Sequence, residues 1–243
     1  MSFVHPHVHT QYSILDGLSS IKELFSRCEQ LNMPAVAITD HGNMYGVKEL
    51  FDYCNKINKG RKKEGLEPFK PIFGCEMYVA RRGNKKLMEG KMDASGWHLI
   101  VLAKNEVGYR NLIKLVSNAW VDGFYGRPRT DRKDLERYHE DLIICSACIA
   151  GEPQEYIRRA LRLEKYGTME TRTPEELFQM ADDSVRWYKE VFGDDYYIEL
   201  QRHQTDKEGG DQDVYQRQKE VNPVLIELAR KHGIKLIATN DSH

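Results

Sequence analysis

His7 and His9 are separated by one residue, and on an extended strand that spacing turns both imidazoles to one face, where they can share a metal. Two further groups of the same chemistry sit behind short apolar runs. Thr39-Asp40-His41-Gly42 follows the run 35–38, and Asn240-Asp241-Ser242-His243 follows 236–238. Imidazole and carboxylate collected at strand ends near both termini is the pattern of a multi-metal site. His5, which opens the His-Pro-His-Val-His segment, reads as a strand residue outside that site. Asp16, in Leu15-Asp16-Gly17, reads equally as a turn residue or as a ligand. His139 and His232 lie in polar helical surroundings and are read as non-ligands. Cys145 and Cys148 have Cys-x-x-Cys spacing, but no second pair completes a structural zinc site.

The elements that must position these groups are short apolar runs alternating with amphipathic segments. Strands are expected at 3–9, 35–39, 71–79, 98–103, 141–145, 196–201 and 235–239, and helices at 20–31, 47–59, 107–120, 154–163, 174–192 and 214–232. In the first helix Ile21, Leu24, Phe25 and Cys28 fall at helical spacing behind a Ser19 or Ser20 N-cap, and Gly233 is a helix stop. Strands alternating with helices predict βα units and a mostly parallel sheet. The reading is an α/β fold, a distorted seven-stranded (β/α)7 barrel with the metal cluster at the C-terminal ends of the strands. His9, His41 and Asp241 suit that placement, whereas His98 opens its apolar run instead of closing it. The stretches 81–95 and 164–173 are expected to be exposed loops.

A length of 243 residues suits one domain, and a makeup of 40% apolar and 30% charged residues is ordinary for a globular protein with a sizeable core. A net charge of -1 excludes a global pull toward nucleic acid, so any DNA contact must use local patches. Candidates are Arg81, Arg82, Lys85 and Lys86, then Arg127, Arg129, Arg132 and Lys133; the stretch 59–63 reads as a solvated helix face. Five cysteines, an odd count without a signal peptide, point to a reducing cytoplasm, and no apolar stretch has membrane-spanning length.

Taken in order, the motifs are specific. His7-Val8-His9-Thr10-Gln11-Tyr12-Ser13-Ile14-Leu15-Asp16-Gly17 and Thr39-Asp40-His41-Gly42-Asn43-Met44-Tyr45-Gly46 are followed by Gly74-Cys75-Glu76-Met77-Tyr78 and by His98 to Asn105. Gly123-Phe124-Tyr125-Gly126-Arg127-Pro128-Arg129, Cys148 to Glu152, Glu199 to His203 and Thr239 to His243 complete the set. The sequence resembles the polymerase and histidinol phosphatase (PHP) family, in the branch found at the N-terminus of bacterial DNA polymerase III alpha subunits. Phe124 to Arg129 match that branch and not the small phosphatases.

The resemblance implies nine metal ligands: His7, His9, Asp16, His41, Glu76 as a bridging carboxylate, His98, Cys148 where other branches carry His, Asp241 and His243. Through bound metals the same nine would be catalytic. All nine positions keep a ligand-competent side chain. Asp40 is expected to orient a ligand from behind or to be a plain strand-end residue, and His203, two residues beyond its apolar run, is read as a non-contact in preference to a contact with substrate or a ligand. The ligand types favour two or three divalent metals, zinc or manganese with iron possible, over magnesium. Such metals about 3.5–4 Å apart can clamp the attacking and leaving oxygens of a phosphodiester.

The expected function is therefore a metal-dependent phosphodiesterase domain, a 3′–5′ exonuclease acting on a single-stranded DNA primer end, within a cytoplasmic replicative polymerase whose own catalytic carboxylates would lie downstream. Expected partners are DNA, the remainder of the polymerase subunit and other replisome subunits. Two alternatives stand beside it: a catalytically silent metal domain that braces the polymerase core, and a small-molecule phosphatase of the histidinol phosphate type. Residues 1–243 are read as one domain of a longer protein, because the last motif completes at His243. Two expected ligands fall in the final three residues, so full metal occupancy is expected to need an ordered C-terminus.

Overall fold

A computed structural model of the chain describes residues 3–167, 169–205 and 212–242. His243 lies outside them. The fold is α/β, with strands and helices alternating as expected, and it divides into two compact units.

The first unit comprises residues 1–96, 100–142 and 241–243. Its elements are α1 (Ile21–Gln30), β1 (Ala35–Ile38), α2 (Val47–Lys63), β2 (Lys70–Ala80), α3 (Gly90–Asp93), most of β3 (Gly96–Ala103), α4 (Glu106–Asp122), β4 (Phe124–Tyr125), β5 (Arg127–Thr130) and α5 (Arg132–Arg137). The long β2 organises it. Residues 70–73 pair in parallel with β1, from Ala35↔Lys70 to Ile38↔Phe73, while Tyr78 and Val79 pair in parallel with Arg129 and Thr130 of β5. β4 and β5 form an antiparallel hairpin, with Tyr125 opposite Arg127 around Gly126 at φ 72°.

α1 starts where the sequence says it must. Ser20 accepts from the Glu23 amide while the Glu23 side chain returns to the Ser20 amide, a capping box that satisfies two otherwise unpaired donors. Its apolar stripe enters a core of Val8, Ile21, Phe25, Cys28, Val36, Ile38, Leu50 and Phe69.

The second unit comprises residues 97–99 and 143–240. β6 (Leu142–Cys145) enters it and pairs in parallel with β7 (Tyr196–Leu200), which pairs in parallel with β8 (Lys235–Ala238). The connections are α6 (Glu152–Tyr166), α7 (Pro174–Phe192) and α8 (Asp213–His232). Gly233, at φ 61°, ends α8 in the left-handed conformation that a side chain resists.

Three expectations are corrected. The segment 3–9 is no continuous strand; it makes isolated parallel bridges, His5 to Val36 and Val8 to Ser242. Pro6 offers no amide to a ladder, and the chain bends there. The hairpin β4–β5 and helix α5 were not expected, because Arg-Pro-Arg-Thr carries no apolar alternation. Residues 90–93 of the expected loop 81–95 form a helical turn. β3 begins at Gly96, two residues earlier than expected, so His98 is its third residue and still not at its end.

Candidate metal centre

Backbone pairing fixes the His7–His9 segment although it is not a strand. The Val8 amide donates to Thr39 Oγ1 at 2.9 Å, the Thr39 amide to Val8 O at 2.8 Å, and the His9 amide to Ser242 O at 2.8 Å. The two rings stay on one side, with both side chains fully buried. Glu76, also fully buried, projects from the middle of β2. His41 follows β1, and its neighbour Gly42 donates to Glu76 O at 2.8 Å. Asp241 adopts φ 43°, a left-handed conformation that aspartate tolerates better than most residues.

These elements bring six of the expected residues together in the first unit. His7 Nε2 and His9 Nε2 are 3.3 Å apart. Asp241 Oδ1 lies 3.0 Å from the former and 3.3 Å from the latter. Glu76 spans the group: Oε1 is 3.7 Å from His7 Nε2, and Oε2 is 3.0 Å from His9 Nε2 and 2.8 Å from His41 Nδ1. The other ring nitrogen of His41, Nε2, lies 2.7 Å from Asp16 Oδ2. Ligand atoms of His7, His9 and Glu76 all fall within 4.8 Å of one another, as one ion would require.

A residue the sequence reading passed over, Ser13, decides the protonation of this group. Its Oγ lies 2.8 Å from Asp40 Oδ1, 2.9 Å from His9 Nδ1 and 3.1 Å from the His41 amide. Asp40 is buried and already accepts from the Thr10 amide and hydroxyl, so the single Ser13 proton goes to it. Ser13 Oγ must then accept from His9 Nδ1–H, and a neutral His9 presents a bare lone pair at Nε2. That lone pair faces two carboxylate oxygens and a second imidazole nitrogen. Such an arrangement repels itself unless a proton or a cation lies between. Burial opposes charge on the His9 ring, but Asp241 and Glu76 outweigh it and hold its pKa above the ordinary value. The donor set of two imidazoles and two carboxylates fits a divalent metal equally directly. Asp40 thus stands behind His9, through Ser13. The signal available in the sequence was a hydroxyl four residues after His9.

His98 and Cys148 belong to the second unit, where Cys148 Sγ lies 3.6 Å from His98 Nδ1, and His98 bridges in parallel to Gly151. The His203 amide and Nδ1 are engaged by the Gln218 side chain at 2.7 and 3.1 Å. No disulfide joins any of the five cysteines, and burial raises the Cys75 thiol well above its ordinary pKa. Both proposed DNA patches contain residues committed to protein contacts. Arg82 pairs with Asp93 and Glu89, Lys85 with Asp134, and Lys86 with Asp122. Arg129 is fully buried and donates to the carbonyls of Gly123, Leu87 and Lys85.

A family model, the PHP domain, matches residues 5–203. Relatives similar over the whole chain include the DNA polymerase III subunit alpha of Borreliella burgdorferi, 40% identical with 99% of this chain covered, and that of Treponema pallidum, 39% identical with 100% covered. The chain spans 18% of the length of each. A solved structure from Bifidobacterium adolescentis, assigned as a metal-dependent phosphoesterase, shares the fold at TM-score 0.50 and 14% identity, with 100% of this chain and 88% of that chain covered. Among the described residues no helix is long and apolar enough to cross a membrane.

Proposed function

The chain belongs to the PHP-domain family, and from that premise we propose that it is a metal-dependent phosphoesterase domain of a replicative DNA polymerase subunit, hydrolysing phosphodiester bonds at the 3′ end of single-stranded DNA. The observation that carries the reading is the meeting of His7, His9, Glu76 and Asp241 around one point where neutral His9 can only offer a lone pair. His7, His9, Glu76 and Asp241 would hold metal together, with His41 and Asp16 as further ligands beside them. His98, Cys148 and His243 remain ligands implied by the family. The proposed metals are two or three, zinc or manganese with iron as the third option; bound metals supply a hydroxide at neutral pH and charge for the leaving oxygen.

The protein's own part is geometric. Asp40 and Ser13 fix the His9 ring, Thr39 and Ser242 fix its backbone, and the buried walls strengthen every charge interaction inside. Residues 1–243 are proposed to act as one domain of a cytoplasmic polymerase subunit, with the rest of that subunit and other replisome proteins as partners.

The test is purified protein with manganese or zinc and a single-stranded oligonucleotide labelled at its 5′ end. Stepwise shortening from the 3′ end is expected. Full metal loading with no shortening would leave the silent, bracing reading, and turnover of histidinol phosphate alone would indicate the small phosphatase.

A further inference from the structure

The β4–β5 hairpin packs directly on the loop that carries His41. A Cβ added at Gly42 would lie 2.7 Å from Pro128 Cγ and 3.2 Å from Tyr78 Cε2, and Gly42 has φ 62°, so no side chain fits between loop and hairpin. Trp120 on α4 closes the same corner, its Nε1–H donating to Gly42 O at 2.8 Å. The hairpin and Trp120 therefore stand beside the candidate metal centre, within the same unit.

Two features there stay open to solvent, an arginine side chain and a pair of stacked rings. Arg127 is exposed, with its guanidinium 5.5 Å from the Tyr78 ring centroid; Tyr78 in turn stacks on His41, with centroids 6.1 Å apart and planes at 21°. Arg82, Lys85 and Lys86 all face carboxylates, but Arg127 makes no ion pair with any described residue. Its charge sits one aromatic layer from His41. Trp120 and Phe124 stack nearly parallel, at 5.3 Å and 12°, yet remain 42% and 49% exposed. A cleft lined by Tyr45, Ile113 and Trp120 continues that surface.

We propose that Arg127 and the Trp120–Phe124 stack form the strand-binding subsite of the centre, with single-stranded DNA as occupant. Arg127 pairs with a backbone phosphate next to the bond at the metals, and the aromatic pair takes an unpaired base on its open face. A cation beside stacked, exposed rings is the combination that binds single strands without reading sequence, since every base offers a π face and every linkage a charge. A small phosphomonoester would leave the rings uncovered. The inference rests on the phosphoesterase reading for its register, but it can be tested apart from it.

The experiment is fluorescence anisotropy with a labelled oligothymidylate and full-length protein, titrated across a range of salt, for the parent and for Arg127→Ala, Arg127→Lys and Phe124→Leu. Metal content is measured on each as a check that the centre is intact. Arg127→Ala is expected to weaken binding about tenfold and to lower the slope of log affinity against log salt by about one, with Arg127→Lys restoring the slope. Phe124→Leu is expected to weaken binding about tenfold with the slope unchanged. Parent affinity and slope in all three variants, or no salt-dependent binding by the parent, overturns the subsite. Weakened binding in the variants without any hydrolysis by the parent supports the subsite and removes the phosphoesterase reading; hydrolysis with unaltered binding does the reverse.

Discussion

His7 Nε2 and His9 Nε2 stand 3.3 Å apart in a fully buried site, and both lie within 3.3 Å of the same Asp241 oxygen. Two buried imidazole nitrogens at that distance need either a shared proton or a metal ion between them. A metal there binds the folded chain and not the unfolded one. At free metal about 100 times the dissociation constant the expected gain is about 2.7 kcal/mol. For a chain of this size that raises Tm by roughly 5–10 °C. Thermal scans with and without zinc or manganese should show the shift in the parent and lose most of it in Glu76→Gln; equal shifts in both would place the binding elsewhere.

Ser13→Ala removes the acceptor that sets the His9 tautomer while leaving every expected ligand in place. Loss of such an outer hydrogen bond typically lowers metal affinity about 10–100-fold. Competition titration against a chromogenic chelator reads that loss. Affinity equal to the parent would mean that Ser13 does not orient the ring.

Arg129 and Arg127 are two residues apart with opposite roles. Arg129 serves three buried carbonyls. Arg129→Met should cost about 3 kcal/mol or more, at roughly 1 kcal/mol for each bond lost and further for carbonyls left dry. Urea unfolding of Arg129→Met and Arg127→Ala separates them, because only the former should move the midpoint strongly.

Arg82 donates to Asp93 through Nε at 2.9 Å and through a second contact from its terminal nitrogen, and the Glu89 amide adds a third at 2.8 Å. The Arg82 hydrogen bonds, against the opposing effect of burial, bring the Asp93 carboxyl down to about 2. A carboxyl depressed on folding contributes stability above its unfolded pKa near 4, and that contribution disappears as pH falls through the folded value. Parent stability should therefore drop between about pH 4 and pH 2 more steeply than that of Asp93→Asn. Parallel curves in urea unfolding over that window would refute the linkage.

Much of this was legible in the chain. Apolar periodicity located α7 at its observed limits and the remaining main helices and six strands within a few residues, because those segments bury one face or both. His7 and His9 were paired by strand alternation, yet the pairing survives a segment that Pro6 keeps from being a strand; the Thr39 and Ser242 backbone bonds hold it instead. The hairpin β4–β5 was missed because its strands are short and carry Arg and Pro. Arg129 was read as a surface charge because sequence does not reveal three carbonyls waiting for a donor. Ser13 was passed over because a hydroxyl is a poor metal ligand, and its role appears only when Asp40 and His9 are seen on either side of it.

The most direct test of the central claim is anomalous diffraction from crystals grown with zinc or manganese, recorded above and below the metal edge. A peak between His7 Nε2, His9 Nε2, Asp241 and Glu76, with a second toward His41 and Asp16, is the predicted result. An ordered cluster with no anomalous density at saturating metal would contradict it.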